Sequence, residues 1–297
     1  MIVLFSVLEP RFLDVDNLSN IARQSVFLLI ITLGQMILLL CAQLDLSVGA
    51  TVALVSVVTS LTMTRLGDGG AGSIAIGIVC GLLTGLVVGA INGFAVTRLK
   101  VPAFMVTLGT ASAVTGIALI LTNGAPVTGL PEEFTRIFGT GALVGIPIPL
   151  LVTLVVCLVM YVLLYRTNFG RSVYAIGGNA QAAHVAGIRV GVVLTLAFVT
   201  CSLLVATSGV LLTARVASGE ATLGASFVLL SIAAAVLGGT SLFGGEGRLG
   251  LVILGVLFIG ILANGMNLLR ISSYLQQVVV GVVLVAAVAV DRYRAHR

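Results

Sequence analysis

The chain has no tryptophan, one lysine and 8% charged residues, against about 25% charged in an ordinary soluble domain. With 59% hydrophobic residues over 297 positions, soluble classes are excluded and an integral membrane protein is left. Cysteine is equally sparse: Cys41, Cys80, Cys157 and Cys201 each stand alone inside an apolar run, with no Cys-x-x-Cys spacing. That pattern fits core packing, not a disulfide framework or a metal centre. The only lysine is Lys100 and no Gly-x-x-x-x-Gly-Lys-Ser/Thr occurs, so the polypeptide carries no P-loop ATPase. His184 and His296 lack partners for a triad or metal site, and no paired carboxylates lie in the apolar runs. No enzyme activity, metal or cofactor is expected. The formal charge of +5 comes from scattered basic residues, not from the basic patch a nucleic acid requires.

Apolar runs fill most of the rest, and they are continuous rather than alternating, which indicates helices rather than barrel strands. A bilayer core takes about 20 apolar residues as helix. On that measure the spans run over 24–44, 46–64, 72–96, 101–121, 143–165, 190–214, 225–243, 249–269 and 273–290. MIVLFSVL has no basic start, leads to no small-residue cleavage site and is too short to span. It reads as the remnant of a first helix, shortened by truncation or by a misassigned start. The expected fold is therefore an all-α polytopic bundle of nine to ten helices, forming one transmembrane domain over 1–297. Arg98 with Lys100, the 166–189 loop, and Arg292, Arg294 and Arg297 are expected inside, because basic residues accumulate on the cytoplasmic side. Span parity agrees, and it sets Glu132, Glu133 and the 9–23 segment outside.

Gly77, Gly81, Gly85, Gly89 and Gly93 recur every fourth residue, a strip that lets a neighbouring backbone approach closely. Asn92-Gly93 is followed by Arg98 and Gly109, and Asn264-Gly265 by Arg270 and Gly281 at the same offsets. A weaker pair sets Gly49, Ala50, Thr51 and Ser56 beside Gly224, Ala225, Ser226 and Ser231. With Arg98 inside and Arg270 outside, the two halves form an inverted five-plus-five repeat, an architecture that places transport paths at the repeat interface. Gly245, Gly247 and Gly250 satisfy G-x-G-x-x-G, yet spans flank them and no acid follows until Asp291. GGTSLFGGEGRLG is thus a tight interhelical turn rather than a dinucleotide loop.

Asp45 and Ser47 interrupt about forty apolar residues. Such residues cap helix starts, and the competing role for a membrane carboxylate is a substrate or proton path. The polar residues within spans, Asn92, Thr107, Asn264 and Gln276 among them, are mostly neutral, which suits a neutral polyhydroxyl solute better than an ion. Packing between helices is the ordinary role for any one of them. Together with Asp45 they are the candidate substrate pathway.

The one long polar passage between two spans that also carries several bases and no acid is RTNFGRSVYAIGGNAQAAHVAGIRV, residues 166–190. A short amphipathic helix there fits a groove on a soluble partner, and from the residues alone an ordinary solvated loop is an equal alternative. Ala182, Ala183 and Ala186 give a small-residue face, Asn179 is placed to cap its start and Gly187 to end it.

LDLSVGAT, INGFAVTRLKVPAFMVTLGT, TNFGRSVYAIGGNAQAAHVAGIRV, SIAAAVLGGTSLFGGEGRLG and ANGMNLLRISSYLQQVVVG resemble, in order from about 12 to 290, the membrane permease of bacterial ABC importers for ribose, xylose, galactose and related sugars. The resemblance implies a permease that pairs with a second copy or a homologous permease, in the inner membrane. It also implies a periplasmic or lipid-anchored sugar-binding protein and separate ABC ATPase subunits as partners. Gln181, Ala182, Ala183 and Gly187 match the Glu-Ala-Ala-x-x-x-Gly pattern of ATPase docking, with Gln181 in place of Glu. Gly170, Arg171 and Asn179 belong to the same expected coupling segment. The alternative from the residues alone is an ion-coupled secondary transporter with Asp45 as its coupling site.

Overall fold

The computed structural model describes residues 1–67 and 69–295. His296 and Arg297, the latter part of the expected basic tail, lie outside the described residues. A short α1 (Ile2–Leu8) and a 3-10 turn over Pro10–Leu13 lead into α2 (Val15–Leu40), α3 (Val48–Leu66), α4 (Ala71–Thr97) and α5 (Ala103–Thr122). A connection follows, holding the single turn α6 (Glu132–Phe134), a π-helical turn over Thr135–Thr140 and a hairpin of β1 (Ala142–Leu143) and β2 (Ile146–Pro147). The chain continues through α7 (Ile148–Arg166), α8 (Asn168–Gly178), α9 (Ala180–Val185), α10 (Val190–Val216), α11 (Phe227–Leu237), α12 (Leu249–Leu268) and α13 (Ser273–Ala295). Among the described residues seven of these, α2, α3, α4, α5, α7, α10 and α12, are long and apolar enough to cross a membrane. The protein is a multi-pass helical membrane bundle.

α2 is the axis of the bundle. From Val26 onward it is almost wholly apolar on every side, as a helix enclosed by others must be, and 83% of its most apolar window is buried, against 17% for α5. Its residues form one core with α10 and with α7 and α8 through Ile30, Met36, Phe198, Cys201, Met160 and Val173. The glycine strip of α4 does what its spacing suggests. A Cβ on Gly85 would lie 2.6 Å from the Ser202 carbonyl of α10, on Gly89 2.8 Å from that of Phe198, and on Gly77 3.1 Å from that of Thr59 on α3. Larger side chains would push these backbones apart and cost the dispersion contacts that hold membrane helices together.

Chain directions follow from the contacts. The end of α4 meets the start of α10, where Thr97 and Thr195 hydroxyls are 3.1 Å apart, so the 98–102 and 167–189 segments share one end of the bundle. At the opposite end Val127 and Gly219 form an isolated bridge, and Asn17 on α2 pairs with Asn264 on α12.

Helix boundaries differ from the sequence expectation mainly where turns interrupt an apolar run. The run at 225–243 yields only the 11-residue α11, because 238–248 turns back with Gly239, Gly244 and Gly245 in left-handed conformations. GGTSLFGGEGRLG is thus an interhelical turn. At 143–147 a hairpin replaces the expected helix start, with Pro147 just ahead of α7. Between α2 and α3 the spans part by a non-helical 41–47 stretch.

Candidate functional site

Three places in the bundle gather polar chemistry: the break at 41–47, the break at 217–226 with the cavity beside it, and the α8–α9 segment.

At the first break Asp45, Ser47 and Asn92 are all fully buried. Asp45 Oδ1 accepts from the Ser47 amide at 2.7 Å and from its hydroxyl at 2.5 Å, while Asn92 Nδ2 donates to Ser47 Oγ at 2.9 Å and reaches Asp45 Oδ2 at 3.4 Å. The carboxylate thus satisfies groups at the start of α3 that lipid would leave unpaired, at a cost of about 1–3 kcal/mol for each. Two of the five expected pathway residues, Asp45 and Asn92, are brought together here, as an internal joint. Thr107 is buried and hydrogen-bonds weakly to its own helix at Phe104 O, 3.5 Å away.

At the second break the chain descends along α3: Glu220 N donates to Ser56 Oγ at 3.3 Å, and a Cβ on Gly49 would stand 2.7 Å from the Gly224 carbonyl. Beside it opens a cavity of about 880 Å³ between α2, the 220–230 segment, α12 and α13. Ligand-sized cavities span about 300–1,000 Å³. Its polar lining includes Gln24, Ser25, Glu220, Ser226, Gln276 and Gln277. Glu220 accepts from Ser218 Oγ at 2.8 Å, and Ser25 Oγ is buried with no hydrogen-bond partner among the described residues. Gln276 donates to Asn267 Oδ1 at 2.8 Å and to Ile271 O at 2.9 Å. Gln276 is the one expected pathway residue on this lining; Asn264 is turned to Asn17 in a reciprocal amide pair of 3.0 and 2.9 Å. Glu220 escaped the sequence reading. Its signal is isolation, since no other acid stands between Glu133 and Glu246.

The α8–α9 segment is a helical hairpin between α7 and α10. Thr167 caps α8 by accepting from Gly170 N at 3.2 Å, and a Cβ on buried Gly170 would run into the end of α7. Arg171 is exposed and bonds Asn168. Asn179 Oδ1 caps α9 by accepting from Ala182 N at 2.9 Å, and Gly187 follows at φ +86°, both as the sequence suggests. The small-residue face is arranged differently. Ala183 packs into the bundle core and anchors α9, whereas Gln181, Ala182, Val185 and Ala186 face outward, Val185 at 79% exposure. Among the described residues no three His, Cys, Asp or Glu side chains converge for a metal.

Residues 17–288 match the family described as branched-chain amino acid transport system / permease component. A ribose import permease protein of Bacillus subtilis (strain 168) is 40% identical over 296 residues, covering 99% of this chain and 90% of that protein. A D-allose transport system permease protein of Escherichia coli (strain K12) is 36% identical, covering 98% and 88%. An L-arabinose transport system permease protein of the same strain is 35% identical, covering 99% and 90%. No solved structure matches the chain. The chain belongs to this permease family: it is the membrane component of an ABC-type import system, a transport subunit rather than an enzyme.

Proposed function

We propose that this permease moves a neutral sugar or sugar-like solute across the bacterial inner membrane by alternating access, driven by ABC ATPase subunits that dock on the α8–α9 segment. The observation that carries the docking assignment is the outward face of Gln181, Ala182, Val185 and Ala186, held on a capped hairpin at the end of the bundle that also carries Arg98 and Lys100. By the positive-inside rule this end is cytoplasmic. Gln181 is uncharged where the docking pattern has Glu, so no salt bridge is expected from this position.

The solute class rests on relatives whose names specify ribose, allose and arabinose, and on a cavity whose hydroxyl and amide groups suit hydroxylated ligands. Gln276 and Glu220 lie on the path. Asp45, Asn92 and Asn264 shape it from behind: the first two lock the start of α3, and Asn264 holds α2 to α12. With its oxygens engaged by Ser47 and Asn92, Asp45 acts as a cap, which favours ATP coupling over an ion site. A second permease copy or homologue, and a sugar-binding protein on the outer side, complete the assembly.

We read the chain as a single domain of nine crossings in an inverted repeat. The 41–47 stretch with α3, and the 217–226 stretch with α11, are matched broken spans, and Asn92 and Asn264 occupy matching positions. Gly187→Trp tests docking: a Cβ at Gly187 would meet nothing within 4 Å, so the bundle has room for the change while the left-handed turn and the outer face do not accept it. ATP-dependent uptake in proteoliposomes with the ATPase and binding protein should be abolished while the variant inserts normally. Undiminished uptake would overturn the assignment.

A further inference from the structure

Tyr165 closes the last turn of α7 and Tyr174 stands in the middle of α8, yet both hydroxyls serve a different part of the chain. Tyr165 Oη accepts the amide of Leu249, the first residue of α12, at 3.0 Å. Tyr174 Oη donates to the Gly247 carbonyl at 2.8 Å. A third link is main chain: Gly245 N donates to the carbonyl of Leu40, the last residue of α2, at 3.0 Å. Gly177 of α8 sits against that bond, and a Cβ there would collide with both of its atoms.

The 238–248 turn has three left-handed glycines. It is held to α11 by Gly239 N–Val236 O and Thr240 N–Ala235 O bonds of 2.8 and 3.0 Å, closed on itself by Ser241 N–Glu246 O at 2.9 Å, and tied to α2, α7 and α8 by these three links. The Leu249 amide is one of the free donors at a helix start, which need an external acceptor. Burial and then the neighbouring Tyr165 push the Tyr174 phenol up, with Arg248 opposing, so it stays a protonated donor. The turn joins α11 to α12, and Gly255 of α12 packs against the Ala234 carbonyl of α11. Displacing α8 therefore drags the turn, and the turn moves both helices beside the cavity.

We propose that Tyr165 and Tyr174 are positioning residues that transmit movement of the α8–α9 segment through the 238–248 turn into α11 and α12. The covalent continuation into α10 is then not the main route. This rests on the importer assignment above. Coupling of this kind needs a contiguous set of contacts and a measurement of coupling itself.

The test uses the complete complex in proteoliposomes, reading binding-protein-stimulated ATP hydrolysis and solute uptake together. Tyr165→Phe and Tyr174→Phe remove one hydroxyl each. Uptake per ATP hydrolysed should fall about fivefold in either variant, the worth of one ordinary hydrogen bond, with hydrolysis near the wild-type rate. The double variant should fall less than the product of the singles, because both bonds hold one turn. Gly177→Ala, which keeps both hydroxyls but wedges the joint, should show the same split. If the Phe variants keep the wild-type ratio, or lose only protein yield and thermal stability, the relay is refuted while the importer assignment stands. If the wild-type complex shows no ATP-dependent uptake, the importer assignment fails and the relay with it.

Discussion

The break before α3, taken with the first turn of that helix, and the break before α11 carry similar residues, Gly-Ala-Thr at 49–51 and Gly-Ala-Ser at 224–226, and they meet where Gly49 and Gly224 touch. Their surroundings differ. The first is enclosed by α4 and α10, and its carboxylate, hydroxyl and amide are spent on one another at zero exposure. The second faces α13, which packs mainly on α11, and it leaves Glu220, Thr222 and Ser226 on an open cavity. Similar residues give two broken spans, and the neighbours decide which is sealed. A sealed break fixes helix positions; an open one can meet a solute.

The comparison is most exposed at the contact point. Gly49→Leu drives a side chain into the Gly224 carbonyl and Val228. Overpacking of this sort costs about 1–3 kcal/mol or more, and a backbone atom cannot swing aside, so folded protein extracted in detergent should be nearly lost. Asp45→Ala comes next: the Ser47 amide and hydroxyl lose their acceptor, and the Asn92 amide is left with Ser47 Oγ alone. A loss of about 3 kcal/mol is expected, seen as a lower unfolding temperature, with Asp45→Asn milder. Equal stability of Asp45→Ala and wild type would remove the claim that the first break is a structural lock.

At the open break the same kind of change should act on transport instead. Glu220→Gln keeps an acceptor for Ser218 and should stay within about 0.5 kcal/mol of wild type, the ordinary range for such sites. Its uptake, at saturating binding protein, should drop several-fold. A destabilisation as large as that of Asp45→Ala would erase the distinction between the breaks. The smallest effect is expected from Gln276→Ala, a two- to threefold loss of uptake with unchanged ATP hydrolysis, since its amide is shared with Asn267 and Ile271 and is worth about 1 kcal/mol or less.

Much of the fold was legible because lipid imposes simple rules. Helix starts at Val190, Leu249 and Ser273 agree with the apolar runs, and the four-residue glycine period named the face where α4 meets α3 and α10. Hydropathy misled at 225–243, where apolar residues continue through a turn whose shape is set by left-handed glycines and by bonds to α2 and α8. The caps at Asn179 and Gly187 were legible because they are local. The inward turn of Ala183 was not, since it depends on what α9 lies against.

The candidate site was less legible. Asp45 and Asn92 are 47 positions apart, and their shared bond exists because α4 returns antiparallel to α3. Asn17, 247 positions from Asn264, has no sequence signal that pairs the two. Tyr165 and Tyr174 sit among apolar and small residues, and nothing in their spacing points to Gly247 and Leu249.

By itself the sequence determined that this chain lives in a membrane as helices, where its polar hairpin lies, and that no ATPase motif is within it. Those properties follow from composition, from the length needed to satisfy backbone in lipid, and from motifs that are contiguous. Only the tertiary structure decided that the Asp45 carboxylate is used up at a helix start, that the second break opens on a cavity, and that α8 is fastened to the turn before α12. Each depends on atoms far apart in the chain coming within about 3 Å, the range of a hydrogen bond, and no local pattern encodes that approach.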